Sequence, residues 1–491
     1  MHAALEDIAN ALDHAGLLVE RHGALPRVIS GISDDSRDVR PGSLFIAVEG
    51  TERDGHDFLA SAGANGASAA ILRDPSRTPL PSLVVNDTRR AAAIAASAAY
   101  GWPAKELRIV GVTGTNGKTT TVNMLRHLLD DGEHRSASIG TLGVLVGSSS
   151  ESLDVGSGLT TPGPVELQRL FRDLRDRGVM NVAMEVSSHS LDQRRVDGVA
   201  FDVATFTNLT RDHLDYHRTM ERYFEAKARL VKQLAPNGAV VLNEDDPAWR
   251  ALKTDRRRIG FSERSSEAEV HAADVHFGPR GSDWTLCIGA ARASVRLPLI
   301  GDFNVSNALG AAAAAFGLGM RPEAIAERLS TMPQTPGRLE VLRESPTVLR
   351  DYAHTPDALA RALDAVRPFT SERLIVVFGC GGDRDKGKRP EMGSIAEAEA
   401  DVAIVTSDNP RTEDPEAILD DIERGMSKRH ERIEDRRSAI ARALEIASVN
   451  DVIVLAGKGH ETYQIRGTTK LPFDEKIIVS ELSSPVSGGL A

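Results

Sequence analysis

The sequence predicts an α/β protein of three domains, and three observations carry that expectation. Apolar strand-like runs alternate with amphipathic helical patterns from about residue 104 to 337 and again from 338 to 491, the pattern of parallel sheets covered on both faces. An apolar run at 107–112 leads through glycines into a helical pattern at 118–129, a strand–loop–helix unit. Breaks fall at Gly101-Trp102-Pro103 and across 333–337, around Pro336, and divide the chain into 1–103, 104–337 and 338–491.

Each block justifies its elements in order. The first has a short β-rich start, a strand at 43–48 and an alanine-rich helix ending near Tyr100. The second has strands at 107–112, 181–186 and 201–207, with helices at 118–129 and about 218–234. The third has strands at 374–378, 402–406 and 452–456. No fixed-period repeat is present, and the alanine-rich stretches read as helix packing faces. The Ser, Pro and Gly after Glu481 suggest only a flexible tail.

Composition narrows the function classes. At 491 residues the chain has room for about two to four domains, and its 41% hydrophobic content is that of a globular protein. The net charge is -11 with no long basic run, which argues against nucleic acid as a partner. Cys287 and Cys380 are the only cysteines, too few for a disulfide framework or a zinc-finger spacing. Glu6, Asp7 and Asp13 interrupt the start, so no signal peptide is read. The longest apolar run, 308–320, is mostly Ala and Gly, so no membrane partner is expected. A cytoplasmic enzyme is the resulting expectation.

Residues 111–121 read Gly-Val-Thr-Gly-Thr-Asn-Gly-Lys-Thr-Thr-Thr. The small residues Gly114, Thr115, Asn116 and Gly117 let backbone N–H groups wrap a phosphate, and the helix start at Lys118, Thr119 and Thr120 adds positive potential. Lys118 can reach the terminal phosphates of ATP, and the Thr119 hydroxyl can ligate magnesium. An ordinary glycine-rich turn would not need strand, loop, Gly-Lys-Thr and helix to agree. The loop departs from the standard nucleotide pattern, which places a glycine where Val112 stands.

Polar residues gather at other strand ends. Glu185 ends one strand, and 208–213, with His213, follow another. Carboxylate and imidazole are metal ligands, although imidazole on magnesium is unusual. Lys227 shares a helix face with Met220, Tyr223, Phe224, Leu230, Val231 and Leu234. It either snorkels out or is held inside, where burial favours a neutral amine able to add carbon dioxide as a carbamate. Thr160-Thr161-Pro162 and residues 187–195 offer hydroxyls and guanidinium groups suited to carboxylates and a diphosphate. In the last block, polar loops at 379–390, 407–411 and 457–461 follow three strands, so a parallel sheet would converge their mixed charges on one zwitterionic ligand.

The string Thr-Gly-Thr-Asn-Gly-Lys-Thr-Thr resembles the Mur ligase superfamily, which includes the folylpolyglutamate synthetases, and further motifs extend the resemblance over nearly the whole chain. The resemblance implies an N-terminal UDP-binding α/β domain, a central P-loop ATPase-type parallel sheet and a C-terminal Rossmann-like domain. It implies ligation of an amine to a carboxylate through an acyl phosphate, with ATP split to ADP and phosphate. One magnesium is implied on Thr119 and Glu185, and a second on Glu185, His213 and a carbamate of Lys227 in Tyr223-Phe224-Glu225-Ala226-Lys227. Lys118, Glu185, His213 and Lys227 form the implied catalytic set. Thr160, Thr161, Ser187, Gln193 and Arg195 would grip a UDP-muramoyl dipeptide, and Ser36 in Asp35-Ser36-Arg37 would contact the uridine diphosphate. Asn304, Arg338, Asp351 and His354 match ATP-side motifs, although Asn304 also reads as a helix cap.

Asp408-Asn409-Pro410-Arg411 closely resembles the motif of family members that add meso-diaminopimelate. Arg411 would clamp the far carboxylate that lysine lacks, and Arg384, Gly457 and Glu461 would complete the pocket. A monomer is expected. A lysine-adding relative, a folylpolyglutamate synthetase and a P-loop regulatory switch are the alternatives. Only a switch would hydrolyse ATP without requiring an amino acid.

Overall fold

The first helix, α1 (Leu5–His14), was not anticipated by the sequence reading. It buries Leu5, Ile8, Ala9 and Leu12, an i, i+3, i+4, i+7 stripe that begins without a side-chain N-cap. The computed structural model describes residues 2–50, 53–153, 158–278 and 280–483, so most of the tail lies outside the described residues. Strands β1 (Leu18–His22), β2 (Gly31–Ser33), β3 (Ser43–Ile46), β4 (Ala69–Leu72) and β5 (Ser82–Val85) form a sheet in the order β1-β5-β4-β3-β2, parallel except for β1. Helix α2 (Thr88–Ala99), capped by Asp87 accepting from the Arg90 N–H, packs Ala91, Ala92, Ala95 and Ala96 into the same core as α1.

A second sheet begins with β6 (Arg108–Thr113), followed by α3 (Lys118–Leu128), β7 (Arg135–Gly140), β8 (Gly143–Val146), β9 (Val179–Glu185) and β10 (Phe201–Phe206). After α4 (Met220–Ala228) come β11 (Leu234–Asn243) and β12 (Arg257–Ser262). Within this larger sheet the consecutive run β8-β7-β9-β6-β10-β11-β12 is parallel apart from β8. β6 lies at its centre with Ile109, Val110 and Val112 fully buried, as strands covered on both faces require. The segments after β6, β9 and β10 therefore leave one sheet edge side by side. The helix expected at 218–234 ends at Ala228, and a 3₁₀ turn (Arg229–Gln233) follows. Leu234 already pairs with Phe201, so strand pairing overrides the helical periodicity.

A third sheet contains β13 (Glu340–Glu344), β14 (Thr347–Asp351), β15 (Leu374–Phe378), β16 (Val402–Val405), β17 (Glu431–Arg432) and β18 (Val452–Ala456). Its order is β13-β14-β18-β15-β16-β17, with only β13 antiparallel. Leu374, Val376 and Phe378 face one core with Leu363 and Met392. Ile375 and Val377 face another with Ile440 and Ile478. The chain divides into two compact units, 1–273 with 286–293 and 306–329, and 274–285 with 294–305 and 330–491. Among the described residues no helix is long and apolar enough to cross a membrane.

Candidate active site

In the first unit the glycine-rich loop is built before any ligand arrives. Gly117 holds a left-handed φ of 83° at the start of α3. Gly114 sits at φ 149°, where a Cβ would collide with the Thr207 hydroxyl. The segment after β10 pins the loop from behind. Thr115 N donates to Asn208 O (2.7 Å), Asn116 N to Asn208 Oδ1 (2.9 Å), and Thr207 Oγ1 to Asn116 O (2.6 Å). Lys118 Nζ folds back onto Gly114 O (3.0 Å) and Thr115 O (2.7 Å), the centre of the curl a phosphate would occupy. Thr120 is buried in the first turn of the helix.

Glu185, at the end of β9, is 1% exposed and heavily engaged. Its Oε1 accepts from Thr119 Oγ1 (2.9 Å) and Thr141 N (2.8 Å), and its Oε2 from Thr141 Oγ1 (3.3 Å). Thr141 was missed by the sequence reading. Its position directly after β7, at the same edge as Glu185, was the available signal. Lys227 is held inside, not snorkelled. It is 1% exposed, with Nζ donating to Gly114 O (2.7 Å) and lying 4.5 Å from the centre of the Tyr223 ring. Burial, with the Lys118 charge nearby, pushes this amine well below the ordinary lysine range.

His213 sits at φ 53° with its Nε2 3.4 Å from Asp212, its ring 4.8 Å from His189 and 6.2 Å from Tyr223. Burial lowers its pKa, and burial with two neighbouring imidazoles pushes His189 down to about 4. Among the described residues no three His, Cys, Asp or Glu side chains converge as a metal cluster by themselves. The oxygens of Thr119 and Glu185 are nevertheless the hard donors magnesium takes, and burial shifts the Lys227 amine toward its neutral form, the form that adds carbon dioxide.

The residues expected on the dipeptide side join this centre through hydroxyls. Thr160 Oγ1 lies 3.4 Å from Thr141 Oγ1, and Thr161 Oγ1 donates to the Glu185 backbone oxygen (2.9 Å) and lies 3.3 Å from Ser187 Oγ. The expected loop 187–195 contains a short helix, Ser188–Asp192, capped by Ser187 accepting from Ser190 N. Arg195 donates to Thr161 O (3.0 Å) and Gln193 Oε1 (3.0 Å). Ser36, buried, opens a 3₁₀ turn capped by Asp35. Next to it Asp34 is raised chiefly by burial, an effect that Arg195 partly opposes.

The second unit carries the remaining candidates. Asn304, fully buried, donates to Ile300 O (2.8 Å), so its side chain ties down the turn before its helix. Arg338 lies 5.0 Å over the Tyr352 ring. Asp351 ends β14 and accepts from Leu339 N (2.8 Å); burial raises its pKa against the pull of Arg338. His354 Nδ1 lies 2.8 Å from Tyr352 O. The loops after β14, β15, β16 and β18 share one edge. Gly457, at φ 118°, lets Asp408 approach, because a Cβ would collide with its carboxylate. Asn409 Nδ2 donates to Glu461 Oε2 (2.8 Å). Arg411 Nη1 donates to Gly382 O (2.7 Å), buried Pro410 carries the chain into that turn, and Arg384 is exposed alongside. Lys458, buried beside Asn409 and Glu461, was not singled out from the sequence.

Comparison with known proteins finds relatives over nearly the whole chain. Family models described as Mur ligase family, catalytic domain, Mur ligase middle domain, and Mur ligase, glutamate ligase domain match residues 28–106, 112–315 and 337–459. The chain is 44% identical to the UDP-N-acetylmuramoyl-L-alanyl-D-glutamate--2,6-diaminopimelate ligase of Geobacter metallireducens, over 99% of this chain and 100% of that one. It is 44% identical to the ligase of the same name from Geobacillus kaustophilus, over 93% and 95%. A solved structure of a ligase of that name superposes with a TM-score of 0.70 at 34% identity, covering 98% of this chain and 99% of the other. A MurF ligase from Thermotoga maritima in complex with ADP shares the fold, at a TM-score of 0.62 and 22% identity over 87% and 94% of the two chains.

Proposed function

The chain belongs to the Mur ligase family, and from that premise we propose that it joins meso-diaminopimelate to the D-glutamate γ-carboxylate of UDP-N-acetylmuramoyl-L-Ala-D-Glu, a step of peptidoglycan synthesis. We assign residues 1–103 to the UDP-muramoyl substrate, 104–337 to ATP and 338–491 to the incoming amino acid, and read the working unit as a cytoplasmic monomer. The observation that carries the substrate assignment is Asp408-Asn409-Pro410-Arg411 at the carboxyl edge of a parallel sheet, beside Gly457 and Glu461.

The reaction follows from the placement of charge. The backbone N–H groups of Gly117 to Thr120 and the Lys118 ammonium receive the phosphates, while Thr115 and Asn116, whose own N–H groups go to Asn208, shape the loop around them with Gly114; Asn304, Arg338, Asp351 and His354 are on the nucleotide side. Thr161, Ser187, Gln193 and Arg195, with Thr160 and Ser36, orient the dipeptide so that its γ-carboxylate attacks the γ-phosphorus. ADP leaves, and the amine of diaminopimelate then displaces phosphate from the acyl phosphate. Thr119, Glu185, His213 and Lys227, the last as its carbamate, would hold magnesium, which when bound screens the repulsion between two anions brought together. Arg411 provides a planar fork for the far carboxylate, and a lysine side chain would leave that fork unpaired. Arg411→Ala is expected to lower kcat/KM for diaminopimelate at least about a hundredfold. KM for ATP should stay within about twofold. Equal use of diaminopimelate and L-lysine by the unaltered protein refutes the assignment.

A further inference from the structure

Lys458 is 0% exposed, yet it lies in the loop that follows β18 at the ligand edge of the third sheet. Its Nζ donates to Asn409 Oδ1 (3.2 Å) and to Glu461 Oε2 (3.1 Å), and lies 5.8 and 5.9 Å from the ring centres of Tyr463 and Phe473. The donor count at its partners is informative. Asn409 Oδ1 also accepts from Ile465 N (2.9 Å), so both acceptor positions of that oxygen are filled, and one Nδ2 hydrogen goes to Glu461 Oε2. Because Lys458 and the Ile465 N–H can only donate and the carboxylate only accepts, the amide has a single orientation. Asn409 keeps one N–H for a ligand. Glu461 Oε2 is likewise loaded with two donors. Oε1 has no partner among the described residues, and the side chain is 16% exposed.

We infer that Lys458 is a specificity-determining positioning residue. By occupying Asn409 Oδ1 and Glu461 Oε2 it presents one carboxylate oxygen, Glu461 Oε1, to the ammonium of the amino-acid substrate that lies beside the carboxylate taken by Arg411. The inference rests on the diaminopimelate reading above. A buried ammonium shared by an amide and a carboxylate fixes both rotamers more tightly than a solvated lysine can, because losing either contact strands a charge. Lys458 itself does not touch the substrate. Its effect is expected in recognition of the far ammonium and not in nucleotide binding.

The test compares the full chain with Lys458→Met and Lys458→Gln, using ATP, magnesium and the UDP-muramoyl dipeptide. Two amino-acid substrates are used, meso-diaminopimelate and L-2-aminopimelate, which keeps the far carboxylate and lacks the far ammonium. The unaltered protein should prefer diaminopimelate. Lys458→Met should raise KM for diaminopimelate about thirtyfold and reduce the preference over aminopimelate about tenfold, with KM for ATP within about twofold. Lys458→Gln, which retains an N–H donor, should recover part of the preference. The inference is overturned if Lys458→Met keeps both its KM for diaminopimelate and its preference. It is equally overturned if KM values for all three substrates and the Tm shift together in both variants. Absence of diaminopimelate turnover by the unaltered protein is a separate result, and it removes the underlying reading as well.

Discussion

Glu185 shows how a single side chain is fixed in place by its neighbours. Its carboxylate is fully buried and receives Thr119 Oγ1, Thr141 N and Thr141 Oγ1, so its orientation is set before any cation or phosphate arrives. Gly140 makes this possible, because a Cβ there would collide with Oε1. Gly140→Ala is therefore expected to lower kcat at least about tenfold while ATP still raises the Tm; unchanged turnover would contradict this role. Lys227→Ala is expected to lose turnover by at least about a hundredfold, and full activity would remove the carbamate from the account.

The residues that were legible in the sequence belong to contiguous motifs, where the order of residue types carries the chemistry. Lys118 and Thr119 in the loop, and Asp408 to Arg411 in theirs, are of that kind. Lys227 was legible as a lysine on an apolar face, but whether it snorkelled or turned inward depended on Gly114 O and the Tyr223 ring, groups supplied by the fold. Thr141 and Lys458 were not legible, because neither stands out until β7 meets β9, or until Tyr463 and Phe473 close over the loop.

At the scale of elements, strands in the parallel sheets were easiest to place because both faces are buried and their apolar runs are continuous. The 374–378 and 452–456 expectations coincide with β15 and β18. Short amphipathic pieces were harder. α1 has four buried residues and no capping side chain, so its local signal is weak and its stability comes from packing against α2. The loops after β15 and β16 are buttressed from below by Arg389, which is 0% exposed and donates to Glu413 Oε1 (2.9 Å) and Asp421 Oδ2 (2.8 Å).

That bond, with help from Lys386, holds the Glu413 carboxyl at about 2, against an ordinary value of 4.5. A carboxyl whose folded pKa is depressed contributes stability that is present above the unfolded value and lost as pH falls through the folded value. Acid should thus weaken the protein between about pH 4.5 and 2, and Glu413→Gln should make the pH dependence of stability shallower there by about one proton. Denaturant unfolding across that range checks it, and identical slopes would contradict it.

For the whole molecule, the α/β class expected from the sequence is met by three mainly parallel sheets among the described residues, with candidate ligand groups in loops at their strand ends. Compactness groups the chain differently, into two units, and residues 294–305, with Asn304, belong with the later one although they precede 337. Sequence periodicity marks elements, whereas membership of a unit depends on contacts between segments distant in the chain. Phosphate release is expected to require both the dipeptide and the amino acid, because the acyl phosphate is formed from one and consumed by the other.

The central claim is the identity of the reaction and of its amino acid. Phosphate release with product mass, from ATP, magnesium and UDP-N-acetylmuramoyl-L-Ala-D-Glu, measured in parallel with meso-diaminopimelate and L-lysine, tests it most directly. Phosphate and a UDP-muramoyl tripeptide with diaminopimelate alone is the predicted result. A tripeptide with lysine alone would contradict the assignment of Arg411, and turnover with neither, by folded protein that binds ATP, would contradict the proposed reaction itself.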